Sequence, residues 1–262
     1  LYLDGGKSES ARSLNDGRLA LAAPAEMGDD ASPLASANGP KGELRTQLAV
    51  FGALSAGSAG VSQRLVELAL DDLRPDEAIA LTWTTPPLAA DTELSGPIIL
   101  MVRATATAPN FDWQVRLTDV HPDGRSSWIT DGQLRASLRR VDDAMSVRNA
   151  DGDYIRPWLP FTPHEPVPVG EPVDYVIELA PTSNVFRRGH RIRLDVQPIA
   201  EGYVDSARSA GIGALLIHRG GENPSRLVLP VIPARCQLGT PASASVEAPV
   251  CGNEIAFGAP QP

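Results

Sequence analysis

Residues Pro109–Leu138, with the sequence PNFDWQVRLTDVHPDGRSSWITDGQLRASL, decide the fold class of this 262-residue chain. From Phe111 to Thr118 apolar side chains alternate with polar ones, which is typical of a strand with one face on a core and one in water. Pro122-Asp123-Gly124 supplies a turn, because proline fixes φ early and glycine accepts positive φ at the end. The chain then returns through Trp128, so this stretch predicts a β-hairpin.

The same kind of pattern recurs outward from the hairpin. Short apolar runs predict a strand starting near Ile79, a buried central strand over Ile98–Ala106, strands over Val173–Leu179 and Ile192–Val196, and a pair formed by Leu215–His218 with Leu227–Ile232. In the strand over Ile192–Val196 the intervening Arg191, Arg193 and Asp195 form the polar face. About eight such strands, with turns between them, are typical of an antiparallel sandwich. We therefore predict a mainly β fold, a jelly-roll β-sandwich, with an irregular N-terminal extension and one or two short helices. Jelly rolls of this shape resemble galactose-binding-like domains.

The first part of the chain is less regular. Residues 1–23 predict one or two short strands around a turn at residues 14–18, and residues 24–43 predict a long irregular loop. Helical spacing of leucines predicts a helix over residues 61–73 that Arg74-Pro75-Asp76 ends. Residues 139–172, acidic and then rich in proline, predict a long excursion from the sandwich.

The charge of the chain excludes several kinds of partner. A formal net charge of −9 argues against nucleic acid, since no basic stripe is present to neutralise a phosphate backbone. It also disfavours an anionic membrane surface. No run of about 18 apolar residues is present, so no membrane span is expected.

The chain holds two cysteines, Cys236 and Cys251, which enclose a short segment rich in proline, alanine and serine. This arrangement favours a disulfide and an oxidising compartment. The alternative is two free buried thiols. Because Leu1 already reads as part of a strand, we expect the chain to be a piece of a longer protein.

Two serine-containing stretches resemble catalytic motifs. Ser58, in Ala56-Gly57-Ser58-Ala59-Gly60, lacks the first glycine and the preceding strand of a nucleophile elbow, so close packing of small residues explains it better. His121 has Asp119, Asp123, Ser126 and Ser127 nearby in sequence. A triad depends on geometry and not on nearness along the chain, so polar turn chemistry is the preferred interpretation. We predict no catalytic residue in this chain.

Metal and ligand motifs are equally weak. None of the four histidines shows a metal-ligand spacing, and we interpret His190 and His218 as packed or surface residues. Residues Asn149–Asp153 resemble half a calcium loop without the distal glutamate, so an acidic solvated loop is preferred. No metal site and no cofactor are predicted. Strand alternation places Trp83, Trp113 and Trp128 in the core, which leaves Trp158 as the candidate for an exposed contact.

Several separated strings together resemble one known family. They are LTWTTPPLAADTELSGPIILMVRATATAPNFDWQVRLTDVHPDGRSSWITDGQLRASLR (81–139), EPVDYVIELAPTSNVFRRGHRIRLDV (171–196) and SRLVLPVIP (225–233). They resemble, in this order, the C-terminal jelly-roll domain of the cocaine esterase family of serine hydrolases, which includes X-Pro dipeptidyl-peptidases and α-amino acid ester hydrolases. The resemblance is strongest over residues 79–232. The string LYLDGGKSESARSLNDGRLALAAP (1–24) resembles the family's link from the hydrolase domain.

The resemblance implies a division of the chain and a partner. Residues 1–76 would be a linker or extension from an α/β-hydrolase domain, 77–235 the sandwich, and 236–262 a disulfide-closed tail. The family's catalytic triad lies in the hydrolase domain, and no position here matches it. The chain is thus expected to pack on an α/β-hydrolase catalytic domain, to help wall its active-site cleft and to support a homo-oligomer, in a secreted or cell-envelope protein. A stand-alone carbohydrate-binding or assembly module is the alternative.

Overall fold

The computed structural model describes residues 1–34, 72–199, 213–233 and 255–258, with only the backbone of Ile199. Twelve strands of these segments form one sheet, and two more form a separate small hairpin. The long sheet folds over itself into two packed layers. The predictions of a mainly β chain and of a β-sandwich are confirmed.

The strands are numbered in chain order. They are β1 (Tyr2–Asp4), β2 (Gly17–Ala20), β3 (Gly28–Leu34), β4 (Leu81–Thr84), β5 (Thr92–Ala106), β6 (Asp112–Val120), β7 (Ser126–Arg135), β8 (Val147–Arg148), β9 (Tyr154–Arg156), β10 (Pro172–Phe186), β11 (Arg191–Ile199), β12 (Gly213–Arg219), β13 (Arg226–Val228) and β14 (Val231–Ile232). A single helical turn, α1 (Arg74–Glu77), precedes β4, and a 3₁₀ turn (Ala136–Leu138) follows β7.

Strand β5 is the centre of the first layer. One of its edges pairs with β10 along nearly its whole length, and the other edge pairs in turn with β12, β13 and β14. Strand β5 is therefore a central strand, as predicted. Burial on both faces extends only over Ile98–Leu100, since Met101, Arg103 and Thr105 on the outer face are half-buried. A register shift in β10 between Leu179 and Thr182 lies opposite Gly96, which has φ +134°.

The second layer has the order β4-β11-β6-β7. It contains the predicted hairpin, in which β6 and β7 pair antiparallel from Asp112↔Arg135 to Val120↔Ser126. The amide of Gly124, at φ +85°, donates to the carbonyl of His121 at 2.9 Å and closes the turn. The hairpin and its turn are confirmed.

An aromatic group fills the space between the layers. Trp113 of β6 lies 5.1 Å from the ring of Tyr175 of β10 and 5.2 Å from Phe111, between ring centroids. Trp83 of β4 is also fully buried. Tilted and edge-on contacts of this kind are favourable for aromatic pairs.

The short strands predicted for residues 1–23 are confirmed, since β1 and β2 are present and pair with each other. The irregular loop predicted from residue 24 is wrong over Gly28–Leu34, because β3 pairs along β12. Strand β3 falls inside the predicted loop over residues 24–43. Its inward positions are Asp30, Ser32 and Leu34, of which Asp30 forms an ion pair with Arg219. Two polar residues on the inner face hide the alternation that identifies a strand.

Three further details differ from the sequence predictions. Strand β12 does not pair with β13 or β14, because all three pair with β5. Strands β2 and β4 are parallel, so the sheet is mixed. Residues Arg74–Glu77 form a helical turn where a helix end was predicted, since proline is tolerated in the first turn of a helix. Ile79 is 43% exposed and precedes strand β4.

Several predictions lie outside the described residues. They include most of the helix over 61–73, the loop over 35–43, Ser58, and Cys236 with Cys251. The division of the chain at residues 76 and 235 stays a prediction. The excursion over 139–172 carries the small β8–β9 hairpin and is otherwise irregular.

Candidate functional site

Two turns meet at one end of the second layer. The register between β6 and β11 pairs Val120 with Arg191 and Asp119 with Ile192. The turn that follows β6 therefore lies beside the turn that precedes β11. His121 is the first residue of one turn, and His190 is the last residue of the other.

The two histidines and Asp119 form a compact cluster. The His190 Nδ1 atom lies 2.9 and 3.0 Å from the two carboxylate oxygens of Asp119. The imidazole rings of His121 and His190 are 4.5 Å apart between centroids and tilted by 47°. Asp119 is buried and both histidines are half-buried. One potential ligand atom from each of the three residues lies within 4.8 Å of the other two.

The serine near this cluster does not complete a triad. His121 Nε2 lies 3.1 Å from Ser127 Oγ, whereas the carboxylate of Asp119 contacts His190. In a triad one imidazole contacts both the nucleophile and the carboxylate that orients it. Ser126 donates from Oγ to Thr118 Oγ1 instead. The described residues thus show no Ser-His-Asp relay here, and the prediction that the chain holds no catalytic residue stays a prediction.

A cleft of about 640 Å³ opens beside the cluster. His121 and Asp123 line one side of it, and Arg188 and Arg191 line another. Pro87, Leu88 and Ala89 also line the cleft. Arg125 approaches from the turn, with Nη2 3.3 Å from His121 Nδ1. One imidazole, carboxylates and guanidinium groups therefore line one partly enclosed space.

A second group of charges lies on the outer face of the same layer, and sequence reasoning missed it. Arg193 of β11 is fully buried, and its Nη1 donates to the carboxylate of Glu77 in α1. Its Nε donates to Thr84 Oγ1 at 2.9 Å, and Nη2 donates to the Ser10 carbonyl at 2.8 Å. Alternation placed Arg193 on the polar face, but α1 and the segment between β1 and β2 cover that face.

The group continues along the strands. A guanidinium nitrogen of Arg116 lies 3.8 Å from Asp195 and another lies 3.9 Å from Asp76. Neither carboxylate oxygen of Asp195 accepts a hydrogen bond from the residues that the structure describes. With Glu77 and Arg193, the group holds three carboxylates against two guanidinium groups. Burial, followed by repulsion from Glu77, raises the pKa of Asp195 above its usual range.

This raised pKa predicts a pH dependence of stability. The folded chain binds a proton that the unfolded chain releases near pH 4, so this contribution to stability falls as pH rises from about 4 through neutral pH. Asp195→Asn should remove that decline. Urea unfolding at pH 5 and pH 8 should show the variant gaining stability relative to the parent at the higher pH. An equal difference at both pH values would contradict the assignment.

The tryptophans divide as predicted except for Trp128. Trp83 and Trp113 are fully buried, and Trp158 is 50% exposed. Trp128, predicted in the core, is 37% exposed. The pairing of β6 with β7 skips Ile129, and this bulge reverses the alternation so that Trp128 no longer shares the inward face of Thr130.

The remaining polar candidates have structural partners. Asn149 Oδ1 accepts hydrogen bonds from the amides of Asp151 and Asp153, and Asp153 forms an ion pair with Arg226 at 2.6 Å. These oxygens of the half calcium loop already serve a turn and an ion pair. His218 contacts Asp29 and Thr105. His164 Nδ1 lies 3.2 Å from Ser137 Oγ.

Comparison with known proteins adds to this geometry. Residues 1–228 match the family model described as the X-Pro dipeptidyl-peptidase C-terminal non-catalytic domain. The chain belongs to this family. The resemblance predicted from the sequence is confirmed. As an X-Pro dipeptidyl-peptidase C-terminal domain, the chain is a non-catalytic domain of a hydrolase family.

Individual relatives agree with the family. Cocaine esterase from Rhodococcus sp. is 28% identical over 177 residues, which cover 62% of this domain and 27% of the esterase. A Mycobacterium bovis protein, whose name assigns it provisionally to the serine esterases, is 32% identical over 167 residues, 62% of this domain and 25% of that protein. The chain thus spans about a quarter of the length of the curated relatives it matches.

Solved structures share the fold of this C-terminal domain. An aminopeptidase from a marine sediment archaeon superposes with a TM-score of 0.64 at 20% identity, over 83% of this chain and 35% of that one. An α-amino acid ester hydrolase gives a TM-score of 0.53 at 18% identity, over 88% and 36%. In the described segments no helix is long and apolar enough to cross a membrane.

Proposed function

We propose that this domain packs on the catalytic domain of an α/β-hydrolase-type serine hydrolase and helps to wall its active-site cleft. The match of residues 1–228 to a non-catalytic C-terminal domain carries this proposal. Relatives named as esterases extend far beyond the matched part, which leaves room in them for a catalytic domain. The whole protein would hydrolyse acyl esters or X-Pro peptides.

The β8–β9 hairpin offers a surface for this packing. Met145, Val147, Ile155 and Trp158 are all large, apolar and between 38% and 54% exposed. Hydrogen bonds fix Trp158 beside the segment that precedes β8: the Asp142 amide donates to the Trp158 carbonyl at 2.9 Å, and the Trp158 amide donates to Ser146 Oγ at 2.9 Å. Exposed apolar groups concentrated in one segment are typical of a contact with another domain. We assign the catalytic domain as the occupant.

The absence of catalysis by the chain alone is directly testable. The purified chain should hydrolyse p-nitrophenyl butyrate and Ala-Pro-p-nitroanilide no faster than buffer, because the serine and the carboxylate contact different histidines. A serine-directed inhibitor should change nothing. Inhibitor-sensitive hydrolysis that Ser127→Ala abolishes would overturn the proposal.

If this surface packs on the catalytic domain, Trp158→Ser should affect the full-length protein and the chain alone differently. In the full-length protein, Trp158→Ser should lower kcat/KM and weaken the link between the domains. In the chain alone it should leave the thermal midpoint nearly unchanged, because the side chain is half exposed. Arg156→Ser, an exposed polar change in the same hairpin, is the matched control. Equal activity of Trp158→Ser and the control would exclude this surface as the contact.

The carbohydrate-binding alternative requires aromatic side chains that a sugar can reach. Trp83 and Trp113 are buried in the core, which leaves Trp158 and Trp128 as the tryptophans with exposed surface. Binding of the chain to a glycan array, lost in Trp158→Ser, would favour this alternative over domain packing.

Secretion and assembly are further parts of the proposal. A Cys236–Cys251 disulfide would require an oxidising compartment and so supports a secreted or cell-envelope protein. Intact mass of the native protein with and without reduction and alkylation tests the disulfide. A sizing column run with and without the preceding domain tests whether this domain supports a homo-oligomer.

A further inference from the structure

The cluster of Asp119, His121 and His190 has the composition of a metal site. Its three potential ligand atoms lie within 4.8 Å of one another. Two ligands of one zinc ion lie about 3–3.5 Å apart when bond lengths are near 2.1 Å and the geometry is tetrahedral. Small rotations of the two imidazoles about their side-chain bonds cover this difference.

The contact between His190 and Asp119 is where a metal ion could bind both residues. Their nitrogen and oxygen atoms are 2.9 Å apart, which is close to the separation of two neighbouring ligands. A metal ion bound there takes the place of this hydrogen bond, with the imidazole nitrogen and the carboxylate oxygen as two of its ligands. His121 supplies the third ligand from the facing turn, with its ring 4.5 Å from that of His190.

The donor set selects the kind of ion. Two imidazoles and one carboxylate suit zinc and similar divalent transition metals, whereas calcium and magnesium prefer oxygen ligands alone. Three protein ligands leave a coordination position open. His121, one of the three ligands, also lines the cleft of about 640 Å³ together with Arg188 and Arg191.

We propose that Asp119, His121 and His190 bind one divalent transition-metal ion of the zinc class. The β6–β11 register, and not local spacing, brings His190 to Asp119 and His121. Arg125 opposes the ion, because its Nη2 lies 3.3 Å from His121 Nδ1 and carries a positive charge. The affinity of the site is therefore set by three ligands acting against the guanidinium groups nearby.

The test is a metal titration of the 262-residue chain after chelation and desalting. Calorimetry with zinc chloride should give one equivalent, and cobalt chloride should give visible absorption bands of a bound ion. His190→Gln and Asp119→Asn should each weaken zinc binding by at least about 10–100-fold. Asp119→Asn retains an oxygen that accepts a hydrogen bond from His190, so the fold should survive. Circular dichroism melts confirm folding of every variant.

Control variants separate this site from others. His164→Gln removes a histidine that contacts Ser137 elsewhere and should bind zinc like the parent. Cys236→Ser combined with Cys251→Ser should also leave binding unchanged, and loss of binding in this double variant would assign the metal to the cysteines. Arg125→Met should tighten binding. Equal affinity of His190→Gln and the parent, or no binding at millimolar metal, overturns the proposal.

Discussion

Arg193→Met should lower the free energy of unfolding by about 3–5 kcal/mol, measured by urea denaturation at neutral pH. The guanidinium of Arg193 is fully buried and donates to Glu77, Thr84 and Ser10. Removing it leaves Glu77 as a buried carboxylate beside Asp195 without its cation. An uncompensated buried charge costs more than the lost contact itself.

Two companion variants identify the cause. Arg187→Met removes a guanidinium whose side chain is 68% exposed and pairs with Asp91 at the surface, so it should change stability little. Changing both Glu77 and Arg193 to methionine should restore part of the loss, because Glu77 is then no longer a buried carboxylate without its cation. If Arg193→Met is as stable as the parent, the ion pair of Arg193 with Glu77 does not hold α1 on the sheet.

Gly132→Ala should destabilise the chain by about 1–3 kcal/mol, because two backbones approach each other too closely there for a side chain. A Cβ atom at Gly132 in β7 would lie 2.4 Å from the Glu178 carbonyl oxygen and 2.8 Å from Leu179 Cα in β10. Near Gly132, β7 is also hydrogen-bonded to β10, because Thr130 Oγ1 donates to the Ala180 carbonyl at 2.7 Å. Backbone atoms cannot move aside as a flexible side chain can.

Gln133→Ala is the matched control for this crossing. Gln133 is the next residue of β7 and is exposed, so its substitution should leave the urea midpoint nearly unchanged. If Gly132→Ala and Gln133→Ala unfold at the same urea concentration, β7 and β10 do not pack as closely as described.

The sequence alone determined the class of fold and much of its local structure. Alternation at Phe111–Thr118 and the turn at Pro122–Gly124 predicted a hairpin that the structure contains. The apolar run at Ile98–Ala106 predicted a central strand, which is β5. These features could be predicted because they depend on residues within one strand or one turn, where side-chain period and backbone preference act directly.

Only the tertiary structure decided which polar residues meet and which are buried. Pairing of β6 with β11 brings His121 to His190, although no local spacing joins them. Arg193 has the alternation of an exposed residue, and only the covering by α1 and the segment before β2 makes it buried. A sequence pattern tells which face of a strand a residue occupies, whereas burial and contact depend on what the rest of the chain places over that face.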